Sequence, residues 1–330
     1  MTLDDLWYKK HPFSILLIPL AWIFCIVVRI RRQAYKHNFF TRKHIPVPVI
    51  VVGNITVGGT GKTPLVSWLG RFLKQQGFKP GIISRGYKGN AKEWPQVVYP
   101  DSDPYLVGDE PVLLARQSNC PVVVSPNRFQ AASVLYHDCD IIISDDGLQH
   151  YALFHDIRIA IVDATRRYGN QRCLPAGPLR EPLNSLTEMD FIIVNGSQNK
   201  SENIMQYQVK PLCKVLDNQV LCDLTELRGQ TVHAVAGIGN PDKFFSFLRE
   251  KGLIIHQHPF PDHHHYQPKN IQFNDNLLVI MTEKDAVKCQ TFANQQHLYL
   301  PIDIDINFSN QLLSLINLRV KNKKNIHEIR

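Results

Sequence analysis

The apolar run PVIVVG at 48–53 passes directly into NITVGGTGKTP, and this junction constrains the fold more than any other stretch of the chain. Gly58, Gly59 and Gly61 let a backbone approach an anion closely. Consecutive N–H groups at the start of a helix then converge on it, with the helix dipole favouring negative charge. Lys62 supplies a point charge for outer phosphates, and Thr63 a hydroxyl for Mg²⁺. The strand before and the amphipathic pattern after are the context such a loop requires. The expected nucleotide contacts are therefore Thr56, Val57, Gly58, Gly59, Thr60, Gly61, Lys62 and Thr63. Thr56 stands where the strict G-x-x-x-x-G-K-T form has glycine. Val57 precedes the paired glycines, where a variant branch of these loops usually has lysine.

A phosphate loop needs a carboxylate at the end of a neighbouring strand. DIIISDDGLQH at 140–150 supplies Asp145 and Asp146 after an apolar run. Two adjacent acids are costly at a strand end unless a cation is near.

Around these two segments, β-branched runs alternate with helical ones. Strands are expected at 48–53, 80–84, 121–125, 140–145, 157–163 and 190–195, and helices at 63–77, 110–118 and 127–137. Nearly continuous apolar strands suit a parallel sheet covered on both faces. The polar residues 196–208 read as a connection. A second series follows, with strands at 231–237, 253–258, 277–285 and 297–305 and a helix from Pro241 to about Lys251. The expected fold class is α/β: a P-loop NTPase-like parallel sheet with flanking helices, a smaller second α/β domain, and an N-terminal membrane-associated helix. The expected boundaries are 1–45, 46–210 and 211–330.

The net charge of +8 is concentrated at the ends. Residues 1–45 hold eight Lys/Arg (Lys9, Lys10, Arg29, Arg31, Arg32, Lys36, Arg42, Lys43) against Asp4 and Asp5; residues 319–330 hold five (Arg319, Lys321, Lys323, Lys324, Arg330) against Glu328. Terminal patches suit anionic lipid or a phosphorylated ligand rather than a nucleic-acid groove, and the last dozen residues read equally as a solvated tail. Seven cysteines, irregularly spaced and without C-x-x-C, point to a reducing compartment rather than a disulfide framework.

FSILLIPLAWIFCIVV at 13–28 carries no charge. Sixteen residues of helix span roughly 24 Å, short of a hydrocarbon core of about 30 Å, and Pro19 interrupts the run. The basic RIRRQAYK that follows, with no small-residue cleavage site, argues against a signal peptide. A buried core helix and a short tilted span both fit the length. The reading adopted is a helix lying in one leaflet, anchored by Trp22, Arg29, Arg31 and Arg32.

Further blocks are GNITVGGTGKTP, SRGYKG (84–89), GDEP (108–111), DDGLQH (145–150), LPAGPLREP (174–182) and AGIGNP (236–241), with PDHHHY (261–266) and MTEKDAVK (281–288) beyond. In this order they resemble the tetraacyldisaccharide 4'-kinases, the lipid A 4'-kinases of Gram-negative bacteria, over nearly the whole chain to about residue 290. Thr56 is typical of that family's loop. The resemblance implies ATP and Mg²⁺, and an acylated glucosamine disaccharide 1-phosphate held in a membrane. It implies phosphate transfer to the 4'-hydroxyl at the cytoplasmic face of the bacterial inner membrane, by a peripheral or monotopic protein with no nucleic-acid or obligatory protein partner. The family pattern F-x-D-H-x-x-Y matches His263, with His264 the alternative among three consecutive histidines.

The expected catalytic set is Lys62 on the β/γ-phosphates, Asp146, Asp109 as base for the sugar hydroxyl and, by resemblance, His263 paired with Asp109. Thr63, Asp145, Asp146 and Glu110 are the expected metal ligands. Arg180, His150 and Arg85 are the expected substrate contacts, Arg180 as a planar fork for phosphate. His256 and His258 share one strand face, but no further ligand spacing completes a metal site there. Two rival functions stand beside the kinase: a membrane-associated P-loop ATPase switch acting on protein partners, and a soluble small-molecule kinase in which residues 13–28 are core.

Overall fold

A computed structural model of the chain describes residues 3–9 and 12–328. Helices α1 (Leu3–Tyr8), α2 (Phe13–Leu16) and α3 (Ile18–Lys36) open it. There follow β1 (Val49–Gly53), α4 (Lys62–Gln75), β2 (Pro80–Ser84), β3 (Gln96–Val98), α5 (Pro104–Val107), α6 (Asp109–Ser118), β4 (Val122–Val124), α7 (Arg128–Leu135), β5 (Ile141–Asp145), β6 (Ile157–Asp163), β7 (Phe191–Asn195) and β8 (Asn203–Val209). The second series is β9 (Leu212–Lys214), β10 (Val220–Cys222), β11 (Thr231–Ala236), α8 (Pro241–Glu250), β12 (Ile254–Pro259), β13 (Val279–Thr282), α9 (Glu283–Cys289) and β14 (His297–Leu300). The chain ends with β15 (Ile302–Ile306) and α10 (Ser309–Glu328).

Nine strands form the large sheet in the order β15-β8-β7-β6-β1-β5-β2-β4-β3. Strands β8 to β4 in that order run parallel, and the edges β15 and β3 are antiparallel. The strands β1, β2, β4 and β5 are buried along their whole length, because helices cover both faces. Leu65, Leu69 and Leu73 of α4 pack on Ile50 and Ile82 on one face, and Ala131, Ala132 and Leu135 of α7 on Ile83 and Ile142 on the other. The second sheet has six strands, β10-β9-β14-β13-β11-β12, with its own core around Phe245, Leu248 and Ile280.

Three expectations need correction. Residues 203–209 are strand β8 beside β7, not a connection, and their polar positions are solvent-facing. The single strand expected over 297–305 is two, broken at Pro301, with β14 in the small sheet and β15 in the large one. The second domain therefore does not run to 330: residues 302–328 return to the large sheet, where Phe308, Leu312 and Ile316 join the same core as Ile50.

Within the C-terminal basic stretch, Arg319 and Lys323 are tied to the fold rather than standing in a solvated tail. Lys323 Nζ lies 2.6 Å from Asp156, with both side chains largely buried, and Arg319 lies 3.5 Å from Asp190. Lys10 and Arg330 of the terminal patches lie outside the described residues, as does the side chain of Lys324. At the other end, Phe24 and Cys25 of α3 pack on Ile55, Cys173 and Leu179. Leu20, Trp22, Ile23, Ile26, Val27 and Ile30 are exposed. No described helix is long and apolar enough to cross a membrane. Arg32, expected at a headgroup, pairs with Glu188 at 2.8 Å.

Candidate active site

The residues between β1 and α4 form a loop whose shape is fixed by three braces. Asn54 Nδ2 donates to the Gly58 carbonyl at 3.2 Å, and Asn195 Nδ2, at the end of β7, donates to the Thr60 carbonyl at 3.0 Å. Val57 N–H donates to the Pro178 carbonyl at 2.8 Å, so the LPAGPLREP segment backs the loop. Gly61 caps α4 with φ +96°, and a Cβ there would lie 2.6 Å from Tyr207 Oη and 2.7 Å from Asn195 Nδ2. Glycine is required at that position on both counts. Around Gly59 no atom lies within 4 Å of a Cβ position, so this part of the loop is open to an incoming group.

Lys62 Nζ donates to Asn54 Oδ1 at 3.2 Å and lies 3.5 Å from Asp146. Register explains the second distance: Val52 pairs with Asp145 across β1 and β5, so the two acids emerge beside the loop. They have opposite electrostatics. Asp146 sits at φ +45° and takes both oxygens to Arg180 Nη1 at 3.2 Å. Burial raises its pKa, but Lys62 and Arg180 outweigh burial and hold it below the usual carboxylate range. Asp145 is buried; Ser84 Oγ donates to one oxygen at 3.3 Å and the other has no hydrogen-bond partner. Burial, then the charges of Glu110 and Asp146, push it up to about 7.

The Glu110 charge reaches Asp145 because α6 begins close by, which ties the loop to the second half of the site. Asp109, at the first position of α6, is buried. Both of its oxygens lie 2.9 Å from His263 Nδ1, on the segment after β12. Lys288 and Lys284 of α9 lie 3.8 and 4.0 Å from it. Burial favours the neutral acid, yet His263 and the two lysines prevail and hold Asp109 ionised well below its ordinary pKa. His263 thus forms the predicted pair. His264 does not: its ring stacks on Phe260 at 4.6 Å and meets Tyr266 edge-on.

The remaining expected residues are placed as follows. Glu110 accepts from Lys284 at 3.1 Å. Thr63 is partly exposed at the start of α4, and Arg85 is exposed after β2. His150 is held neutral: burial, then Arg128, Arg31 and Arg85, lower its pKa to about 4. Thr56 bridges to Leu179. Among the described residues no group of three or more His, Cys, Asp or Glu is arranged to enclose a metal, the His256–His258 face included.

Sequence reasoning did not assign Asn54, Asn195, Lys284, Asp285 or Lys288. Asp285 is fully buried; it accepts from Gly237 N–H at 2.8 Å and Thr282 Oγ1 at 2.6 Å and lies 2.9 Å from Lys288, joining AGIGNP to MTEKDAVK. The available signal was Lys284 and Lys288, four apart and so on one helix face.

The family described as Tetraacyldisaccharide-1-P 4'-kinase matches residues 13–321. A tetraacyldisaccharide 4'-kinase from Nitrosococcus oceani is 50% identical over 324 residues, covering 97% of this chain and 96% of its own. One from Coxiella burnetii is 45% identical over 318 residues, covering 94% of each. The crystal structure of the "apo" form of LpxK from Aquifex aeolicus in complex with ATP superposes with a TM-score of 0.80 at 27% identity, over 93% of this chain and 99% of that one. Neither rival function, switch or small-molecule kinase, is represented among these relatives. Matched along nearly its whole length by this family and by close relatives that bear its name, the chain belongs to the tetraacyldisaccharide 4'-kinases.

Proposed function

We propose that the chain transfers the γ-phosphate of ATP to the 4'-hydroxyl of a tetraacylated glucosamine disaccharide 1-phosphate, with Asp109 receiving the hydroxyl proton. The observation that carries the base assignment is the 2.9 Å pairing of buried Asp109 with His263, on a helix start whose next residue acts electrostatically on Asp145. Phosphoryl transfer asks the protein mainly for positioning and charge neutralisation. The P-loop reading assigns the amides of residues 56–63 and Lys62 to the phosphates. Arg180, now paired to Asp146, stands beside Lys62 as a second cation for the transferred group. His150 and Arg85 are assigned to the substrate side.

The donor set fits Mg²⁺, a hard cation that binds through one or two carboxylates and completes its shell with water and phosphate oxygens. Asp145 offers a buried oxygen without a hydrogen-bond partner beside the ionised Asp146. Thr63, Asp145 and Asp146 would hold the ion, with Glu110 as a more distant charge; bound there, it would neutralise charge on the β/γ-phosphates.

The exposed apolar face of α3 suits insertion into one leaflet at the cytoplasmic side of the inner membrane, with Arg29 and Arg31 near anionic headgroups. Phe24 and Cys25 of that helix pack on Ile55 and Leu179, next to the residues assigned to the phosphates, which supports a lipid-held sugar meeting ATP there.

Labelled ATP, Mg²⁺ and a detergent-solubilised monophosphorylated lipid disaccharide test the assignment. Wild type labels the lipid, and Asp109→Asn lowers kcat about 10²–10⁴-fold, the usual contribution of a general base, with ATP affinity kept. Lost ATP affinity with intact turnover in Asp109→Asn overturns the role given to Asp109.

A further inference from the structure

A cavity of about 20 Å³ is lined by Arg32 of α3, Arg42 on the segment that leads to β1, Tyr151 and His155 between β5 and β6, and Arg158 of β6. Three of these residues carry buried polar atoms with no hydrogen-bond partner: Arg42 Nε, Tyr151 Oη and His155 Nε2. His155 is only 8% exposed. Glu181 approaches the Tyr151 hydroxyl without completing a hydrogen bond. Buried polar atoms are as a rule paired, so three orphans around one cavity call for a common guest.

The charges around the cavity decide what that guest is. Two carboxylates, Glu181 and Glu188, face three guanidinium groups. Glu188 is taken by Arg32 at 2.8 Å and Arg158 at 3.0 Å, and Glu181 accepts from Gln149 Nε2 at 2.9 Å. Arg42 has no ion pair with a carboxylate among the described residues; burial and then Arg158 hold its pKa below the ordinary arginine value, with Glu188 a partial offset. His155 is neutral, since burial, then Arg158, lower its pKa to about 3. A neutral imidazole can carry its proton on Nε2 and donate it. Water would satisfy these donors and leave the excess positive charge; an anion answers both. The volume sets the size, because it admits one water-sized guest and not a phosphate group with its four oxygens.

We propose that this cavity binds one small monovalent anion of the chloride class, held by Arg42 Nε, His155 Nε2 and the Tyr151 hydroxyl under the charge of Arg158. The guest joins parts of the chain that lie far apart in sequence. Arg32 brings α3, Arg42 the entry to β1, Tyr151 the turn that also carries His150, and Arg158 the start of β6. An anion there relieves the repulsion between Arg42 and Arg158 and ties α3 to the large sheet. It stabilises the fold by mass action and takes no part in phosphoryl transfer.

Thermal melts of the full chain in detergent test this, in sodium chloride or bromide against sodium gluconate at equal ionic strength. In wild type Tm rises saturably with halide and not with gluconate, by about 3 °C at a halide concentration ten times Kd. Arg42→Met and His155→Phe each abolish the halide-specific rise. Wild-type crystals soaked in bromide show an anomalous peak bounded by Arg42, His155 and Arg158, a readout that stands even if neither variant folds. Equal Tm in halide and gluconate overturns the proposal. A halide effect that survives in both variants overturns it too, since the anion then acts elsewhere on the molecule. A bromide peak without a halide effect on melting is an adventitious ion only, and no peak at saturating bromide leaves the cavity to water; either result sinks the assignment.

Discussion

Asp145 illustrates a site held against its own stability. The carboxyl is 2% exposed, with a single hydroxyl donor at 3.3 Å. Burial first, then Glu110 and Asp146, raise its pKa from 3.8 to about 7. The folded protein thus binds this proton more tightly than the unfolded chain. In the metal-free protein the favourable contribution is full below about pH 4 and is lost as pH rises through about 7. Roughly three units at about 1.4 kcal/mol each make ionisation of Asp145 in the fold cost about 4 kcal/mol at pH 8. Asp145→Asn removes that cost but leaves an amide N–H where the partnerless oxygen was, a penalty of about 1–2 kcal/mol. The net expectation is a protein more stable by about 2–3 kcal/mol at pH 8 in chelator, an increase in Tm of about 5 °C at ~2 °C per kcal/mol for a long chain. At pH 4, where both side chains are neutral, the gain disappears. Phosphate transfer falls in the same variant. Thermal melts of the two chelated proteins at pH 4 and 8 measure this directly. A variant that is no more stable than wild type at pH 8, or equally favoured at both pH values, refutes the electrostatic account of Asp145.

Gly61→Ala forces a Cβ to within 2.6–2.8 Å of Tyr207, Asn195 and Met205 at φ +96°; it should destabilise the fold by about 1–3 kcal/mol and weaken ATP binding at least tenfold, read by melting and by nucleotide titration. Glu283 bridges the two units, accepting from Gln117 at 2.8 Å and Ile302 N–H at 3.4 Å, and burial raises its pKa to about 7. By the same sign its contribution is lost as pH rises through 7, so Glu283→Gln should flatten the pH–stability profile between pH 5 and 9, with a gain of up to about 3 kcal/mol at the alkaline end in denaturant titrations. Ile23 and Ile26 are 59% and 53% exposed on α3; Ile23→Glu with Ile26→Glu should shift the protein from the vesicle-bound to the soluble fraction in flotation, with ATP affinity unchanged.

What could be read from the residues, and what could not, divides along physical lines. The strands β1, β2, β4 and β5 were visible because burial on both faces demands unbroken apolar runs, and β6 was located at both of its ends. Strands near the sheet margin, less fully covered, carry no such demand. β8 lies one strand in from the β15 edge and only Met205 of NIMQYQV is fully buried, so its polar residues read as a connection. The basic residues of α10 masked Leu312 and Ile316, although these stand four apart on one helix face and are fully buried. The site shows the same contrast. The loop read as a phosphate cradle is local, and eight consecutive residues carry that reading. The Asp109–His263 pair spans 154 positions, and only family resemblance joined its halves. Lys284 was quoted within MTEKDAVK and given no role, since a lysine beside a glutamate on a short helix is ordinarily a solvated charge. What separates it from that ordinary case is what it faces: two carboxylates and an imidazole nitrogen, brought together only when the two sheets meet along α6 and α9. A cation enclosed by two carboxylates and an imidazole nitrogen is a property of the assembled seam, not of the segment that carries it.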